Sequence, residues 1–235
     1  MLVRHGQASF LGADYDRLSP TGEEQARRLG LFWSARRIRF DQVITGPRKR
    51  QIDTARVAAE SFTAAGAPMP EPVVVEEFDE YDGDGILKHI LPEARLRDSR
   101  LQELTEAYSN SADDAERRRS FQKMFEAATL AWIAGEIESP QVESWPSFHD
   151  RVRRAIGRIT SNERRGLAVA VFTSGGPISA AVQMAAGAPE RTAIELNWRL
   201  KNCSITEIAF SKGRLTLDSF NTVPHLDDPL LLTYR

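Results

Sequence analysis

Apolar residues in this chain come in short blocks separated by longer amphipathic stretches. Met1 to Arg4, Phe40 to Thr45 with Val43 and Ile44 at its centre, Val73 to Val75 and Leu167 to Thr173 are of strand length. The last, Leu-Ala-Val-Ala-Val-Phe-Thr, is apolar on both faces, as a strand covered on both sides must be. Val73 to Val75 is expected to be a short buried strand.

Helices are expected between these strands. Residues 5 to 19, with Gly6, Gly12 and Asp14, read as a loop. Ser19-Pro20-Thr21-Gly22-Glu23-Glu24 has polar capping candidates, a proline in the first turn and acids at the positive helix end. Ala26, Leu29, Gly30 and Phe32 would form the inner face of that helix, which ends near Arg36. Gly46-Pro47 opens a second helix with Thr54, Ala55, Val57, Ala58 and Phe62 inward, and Pro68 to Pro72 breaks the pattern. Ser174-Gly175-Gly176-Pro177 turns into a helix carrying Ile178, Val182 and Ala185. Ser204 to Phe210 and Arg214 to Phe220 pattern as a hairpin around Lys212-Gly213. The tail from Pro224-His225-Leu226 to Arg235 reads as extended.

Strands alternating with helices predict an α/β fold, a three-layer α/β/α sandwich around a mostly parallel sheet. The text changes over about residues 82–162, which are charged, helix-prone and nearly free of strand pattern. Three helices are expected there, around Leu101 to Ala107, Phe121 to Trp132 and Phe148 to Ile159. They form a helical insertion capping the sheet within a single domain of residues 1–235.

Composition narrows the function. The chain has 235 residues, 41% of them hydrophobic, enough for one sizeable core. A formal net charge of −2, from 31 basic and 33 acidic residues, argues against nucleic acid and against a polybasic membrane surface. An anion site must therefore be built locally. Cys203 is the single cysteine, so an intramolecular disulfide and cysteine-based zinc sites are excluded, and it reads as a buried thiol. With no apolar run of the roughly 18 residues of a span and no signal-like segment before the first motif, a cytoplasmic protein is expected.

In doubly wound sheets ligands bind beyond the carboxyl ends of the strands. Arg4-His5-Gly6, Thr45-Gly46-Pro47 and Ser174-Gly175-Gly176 all follow strands there and can converge on one pocket. Arg4 offers bidentate geometry for phosphate oxygens, and its charge favours the neutral, nucleophilic imidazole of His5. Gly6 permits close backbone approach. Arg50 falls in the first turn of the second helix, where free amides bind anions, although Arg48, Lys49 and Arg50 together also read as a solvated basic turn. Glu80 follows the third strand, in an acidic run where Glu77 and Asp79 could equally serve as a proton donor beside a phosphate. The amides of the Ser174–Gly175 turn and the Ser174 hydroxyl could hold phosphate oxygens. Phe172, two residues before Ser174, stands where a nucleophile elbow needs glycine, which argues against a serine hydrolase. His89, His149 and His225 show no metal-ligand spacing and read as structural, with His225 the one that could reach the pocket.

In this order the segments resemble the histidine phosphatase (phosphoglycerate mutase-like) superfamily. Leu2 to Gln7 resembles its Arg-His-Gly strand, and Leu18 to Ala26 its Leu-Thr-x-x-Gly-x-x-Gln-Ala helix start. Residues 45–55 resemble its Ser-x-Leu-x-Arg-Ala-x-x-Thr-Ala block, with Thr54-Ala55 placing the second arginine at Arg50. Phe78-Asp79-Glu80 resembles its acid segment, and Asn221 to Leu226 its closing Asn-x-x-x-His-Leu.

The resemblance implies a metal-independent phosphomonoesterase without cofactor, acting on a small phosphorylated substrate. His5 would become phosphohistidine, Arg4 and Arg50 would hold the phosphoryl oxygens, and Glu80 would protonate the leaving group. Ser174 stands where the family usually has a second histidine, a charged donor, so weak turnover is expected. The alternative is a phospho-ligand-binding protein without turnover. Gln7 is followed by Ala8-Ser9-Phe10 instead of the Trp-Asn common in mutases, which disfavours a phosphoglycerate mutase. A homodimer through a sheet edge is compatible with the fold.

Overall fold

The computed structural model describes residues 1–9, 16–66, 68–162, 164–211 and 213–234. Gly12 and Asp14 of the first loop, Phe10, Lys212 of the hairpin turn and Arg235 at the end of the tail lie outside the described residues. The chain forms two compact units, Met1–Glu80 with Arg151–Arg235, and Tyr81–Asp150.

The first unit holds a six-stranded sheet in the order β3-β2-β4-β1-β5-β6. The strands are β1 (Leu2–Arg4), β2 (Gln42–Thr45), β3 (Pro72–Val74), β4 (Val169–Thr173), β5 (Ile205–Ser211) and β6 (Arg214–Thr222). The four from β3 to β1 run parallel, and β5 and β6 add an antiparallel edge. β4 sits between β2 and β1 and is buried at all five positions, as its continuous apolar run predicts. Its register matters most: Arg4 pairs with Thr173 and Thr45 with Phe172. β1, β2 and β4 therefore end level, and the residues that follow them emerge side by side.

Helix α1 (Pro20–Ala35) starts as its sequence predicts, with the Ser19 hydroxyl accepting from the Gly22 amide at 3.1 Å and Pro20 in the first turn. It packs with α2 (Lys49–Ala64) on one face of the sheet, in a core of Ala26, Leu29, Trp33, Ala55, Ala58 and Phe62 against Val3, Val43, Ala170 and Phe172. On the other face Val169 and Val171 look toward Ile156 of α7 (Trp145–Thr160) and Ala181 of α8 (Gly175–Ala186). The pleat of β4 thus serves two helical layers, and the fold is the expected three-layer sandwich.

Three details differ from the pattern. Val73 and Val74 are 60% and 49% exposed, because β3 is an edge strand covered on fewer sides than three consecutive valines suggest. Trp33, not Phe32, fills the core of α1; Phe32 lies at its margin under the Arg36 guanidinium, 4.2 Å from the ring centroid. The tail folds into a 3₁₀ turn at Pro229–Leu231 that buries Leu231, and a short helix α9 (Arg191–Asn197) precedes β5. Cys203 is fully buried and burial pushes its thiol pKa up, so it packs as an inert apolar group.

The second unit is helical. A turn α3 (Gly83–Gly85) and a π-type turn at Ile86–Ile90 lead into α4 (Leu91–Arg97), α5 (Ser99–Ser109) and α6 (Asp114–Ala134), and the unit ends within α7. Its core is aromatic: the Trp132 ring centroid lies 5.4 Å from Tyr81, 5.5 Å from Trp145 and 5.9 Å from Phe148. Among the described residues no helix is long and apolar enough to cross a membrane.

The α1–α2 contact is tight enough to test. A β-carbon on Gly30 would lie 2.2 Å from the Ala58 carbonyl oxygen and 3.0 Å from the Ser61 β-carbon. Helix propensity favours alanine over glycine by about 1 kcal/mol, whereas prying two packed helices apart costs about 1–3 kcal/mol. Gly30→Ala is therefore expected to lower the urea midpoint without changing the slope. A raised midpoint would contradict this packing.

Candidate active site

The level ends of β1 and β4 bring His5 and Ser174 to one edge, with α2 beginning beside them. His5 follows β1 directly. Its amide donates to the Thr173 carbonyl at 2.9 Å, and its own carbonyl receives the Cys203 amide at 3.1 Å. The bend after it needs two glycines. A β-carbon on Gly6 would lie 2.5 Å from the Gly22 carbonyl, and one on Gly22 would lie 2.2 Å from the Gln7 carbonyl. The close approach that Gly6 permits is thus to the start of α1. The Gly6 amide donates to the Thr54 hydroxyl at 3.0 Å, and that hydroxyl donates to the Arg50 carbonyl at 2.6 Å. Thr54 thereby ties the histidine loop to the first turn of α2.

The partners of His5 determine its tautomer. Nδ1 lies 2.7 Å from the Gly6 carbonyl oxygen, which can only accept, so Nδ1 carries the proton. Nε2 receives the Arg50 Nε–H at 3.2 Å, and a guanidinium can only donate, so Nε2 carries the lone pair. Burial, followed by the Arg50 and Arg4 charges, lowers the His5 pKa well below 6.5. The ring is held neutral with one nucleophilic nitrogen facing a cation.

Arg50 stands in the first turn of α2, as its place after Gly46-Pro47 predicts, with its side chain only 11% exposed. Its Nη1 donates to Asp16 Oδ1 at 2.8 Å, while Asp16 Oδ2 receives the Lys49 amide at 2.7 Å. A carboxylate thus sits on both the guanidinium and the helix N-terminus, the kind of place an anion prefers. Arg4 is half-buried beside His5, and its Nη1 donates to the Leu200 carbonyl. Arg48 faces the acidic segment instead, with its Nε 2.5 Å from Asp79 Oδ1.

That segment is sorted by its partners. Asp79 is paired with Arg48 and also accepts the Glu80 amide at 2.7 Å. Glu77 is paired with Arg158 at 2.8 Å. Glu80 Oε1 accepts the Gly176 amide at 3.0 Å, in the first turn of α8. Of the three acids, Glu80 is the one set against the turn that follows β4. Arg151 of α7 holds the segment in place: its Nη1 donates to the carbonyls of Glu77 and Asp79 at 2.9 and 2.8 Å, and its Nη2 to that of Glu80 at 3.3 Å. Nothing local in the sequence singles out Arg151, since it reads as one arginine among several on a helix.

The Ser174–Gly175 turn is arranged differently from the expected phosphate cradle. Ser174 is fully buried, and its Oγ receives the Gln51 Nε2–H at 2.7 Å. The Gly176 amide is used by Glu80, and Gly175 is packed so closely that a β-carbon would lie 2.0 Å from Asn197 Oδ1. Two buried glutamines were missed because glutamine in a helix reads as surface. Gln51 is one; Gln25 is the other, accepting the Gln7 amide at 2.9 Å and donating to the Leu231 carbonyl at 2.8 Å. Of the other histidines, His149 packs 5.5 Å from the Trp145 ring. His225 is 7% exposed and lies 6.0 Å from the Phe32 ring, on the face of the core formed by α1.

The buried neutral histidines set a pH dependence. Burial chiefly, with the Arg28 charge, lowers the His225 pKa from 6.5 to about 4. Above 6.5 the ring is neutral folded and unfolded, so it contributes no slope. Below 6.5 only the unfolded chain binds the proton, so stability falls with pH until about 4 is reached. That window is worth about 3 kcal/mol for His225. Urea titrations at pH 7 and 4.5 are expected to show a smaller loss in His225→Gln than in the wild type. Equal losses would mean that His225 is not buried neutral.

Comparison with known proteins gives one consistent result. The model of the histidine phosphatase superfamily (branch 1) matches residues 1–84 and 88–223. Among solved structures, phosphoglycerate mutase from Bacillus anthracis str. Sterne superposes with a TM-score of 0.61 at 18% identity, covering 95% of this chain and 92% of that one. Phosphoserine phosphatase from Entamoeba histolytica, in complex with 3-phosphoglyceric acid, gives 0.59 at 20% identity, covering 96% and 97%. Bacillus stearothermophilus YhfR gives 0.63 at 16% identity, covering 96% and 98%. At these identities the likeness is one of fold. No curated protein matches the chain in sequence.

Proposed function

The chain belongs to the histidine phosphatase superfamily, and from that premise we propose that it hydrolyses small phosphomonoesters through a phosphohistidine formed on His5. The observation that carries this reading is the His5 ring itself, buried and neutral, with Nδ1–H fixed on the Gly6 carbonyl and the Nε2 lone pair facing Arg50.

Arg50 Nε–H donates to the attacking lone pair. A phosphoryl group is a stronger acceptor than a neutral imidazole, so it draws the guanidinium onto its own oxygens and uncovers Nε2. Arg4 meets the same group from the β1 side. Nε2 then attacks phosphorus, the bond from phosphorus to the leaving oxygen breaks, and that oxygen takes the proton of Glu80. Water next attacks the phosphohistidine. The Nε2–phosphorus bond breaks, orthophosphate leaves and the proton lost by water returns to Glu80. The neighbours named as a phosphatase and as a mutase support phosphoryl transfer as the class of reaction.

A second reading, a phospho-ligand binder without turnover, is favoured by one feature. The turn after β4 offers a neutral Ser174–Gln51 pair in place of a charged donor, and losing such a donor typically costs about 10²–10³ in rate.

Two substitutions test the roles. His5→Ala is expected to abolish hydrolysis of p-nitrophenyl phosphate at every pH from 5 to 8; retained activity would move the chemistry elsewhere. Glu80→Gln is expected to lower kcat/KM on a simple alkyl phosphate by about 10²–10⁴. It should change kcat/KM for p-nitrophenyl phosphate little, because nitrophenolate leaves without a proton and kcat/KM ends at its release, before the water step that both esters share. Equal losses on both esters would deny Glu80 the acid role. If the wild type cleaves neither ester while orthophosphate raises its Tm, the binder reading stands.

A further inference from the structure

Ser174 occupies the N-cap of α8, yet its side chain does not cap the helix. A serine there ordinarily accepts from the amide of the second or third helical residue. The amide of the second, Gly176, is bonded instead to Glu80 Oε1 at 3.0 Å. The Ser174 hydroxyl is turned away to the Gln51 carboxamide at 2.7 Å. Ser174 and Gln51 are both fully buried, so the bond between them is not exchanged for water.

The Gln51 carboxamide cannot be flipped without loss. Its Oε1 accepts the Arg48 amide at 3.0 Å, and an amide N–H requires an oxygen there, so the NH₂ group must face Ser174. The same Oε1 occupies space that only glycine leaves open, since a β-carbon on Gly46 would lie 2.2 Å from it. Gln51 is thus bonded at one end to the start of α2, beside Arg50, and at the other to the start of α8.

We propose that Gln51 is a positioning residue for the proton donor: by holding the Ser174 hydroxyl off the Gly176 amide, it reserves that amide for Glu80. The proposal rests on the phosphatase reading. Without the Gln51 donor, the Ser174 hydroxyl is released into the ordinary capping position and competes with Glu80 for one N–H. Glu80 then loses the bond that aims it at the leaving oxygen, whereas His5, Arg4 and Arg50 keep theirs. Misplacing a reacting group by about 1 Å can cost about 10²-fold in rate.

The test uses Gln51→Met, which keeps the length and apolar bulk of the side chain and removes the donor. With an alkyl phosphate, kcat/KM is expected to fall by about 10- to 100-fold. With p-nitrophenyl phosphate, whose leaving group needs no proton, kcat/KM should stay within about threefold; this also reports an intact fold and nucleophile in the same sample. Adding Ser174→Ala to Gln51→Met removes the competing hydroxyl and should recover most of the alkyl phosphate activity. A lesion of packing alone would lower both esters together and would worsen with the second substitution. Equal losses on the two esters, no loss on either, or no recovery in the double variant would overturn the proposal and leave the His5 reading untouched. A wild type that cleaves neither ester would overturn both.

Discussion

An imidazole offers one lone pair when neutral, and the nitrogen that carries it is decided by what the other one touches. Here the Gly6 carbonyl takes Nδ1–H at 2.7 Å, so Nε2 is left to react. That bond depends on the chain doubling back immediately after β1, and the bend is available because Gly6 and Gly22 let two backbone segments meet without side chains between them. The bend in turn puts the Gly6 amide on Thr54 and so aligns α2 with the histidine. Histidine, arginine and helix start therefore stand or fall together, and the β1–β4 register carries the same alignment to Ser174 and the first turn of α8.

The local charges follow from that placement. A chain with a net charge of −2 makes a cationic centre by gathering Arg4 and Arg50 around a ring that stays neutral. Two cations of this region carry an acid of their own, Arg50 with Asp16 and Arg48 with Asp79, while Arg4 donates to the Leu200 carbonyl. Burying guanidinium groups without partners would be costly. The Asp16 carboxylate meets Arg50 and the Lys49 amide in a geometry that phosphate oxygens also suit, and it fixes the orientation of the guanidinium.

Much of this was legible because it is local. The strand ending in Arg4-His5-Gly6, the Ser19 cap and the helix start after Gly46-Pro47 that carries Arg50 each express a rule acting within a few residues. Glu80 was named but could not be separated from Glu77 and Asp79, because the choice is made by Arg48, Arg151 and Arg158 from other parts of the chain. The misreadings have the same origin. Three consecutive valines look buried, but whether they are depends on where their strand falls in the sheet, and β3 falls at the edge. Phe32 and Trp33 are adjacent and both aromatic, and the direction in which α1 meets α2 decides which of them is inside.

The turn after β4 shows how a buried polar pair can change what a motif does. Read as text, Ser-Gly-Gly-Pro at a helix start offers free amides and a hydroxyl to an anion. In the folded chain the hydroxyl answers to Gln51 and the Gly176 amide to Glu80, so the turn presents a carboxyl group where an anion cradle was expected. The positive end of α8 then acts on an acid that belongs to the protein. A glutamine has no charge and leaves no signature in a helical pattern, yet with both ends of its carboxamide committed it has a single orientation. Held so, it lets a neutral residue determine which group a helix terminus binds.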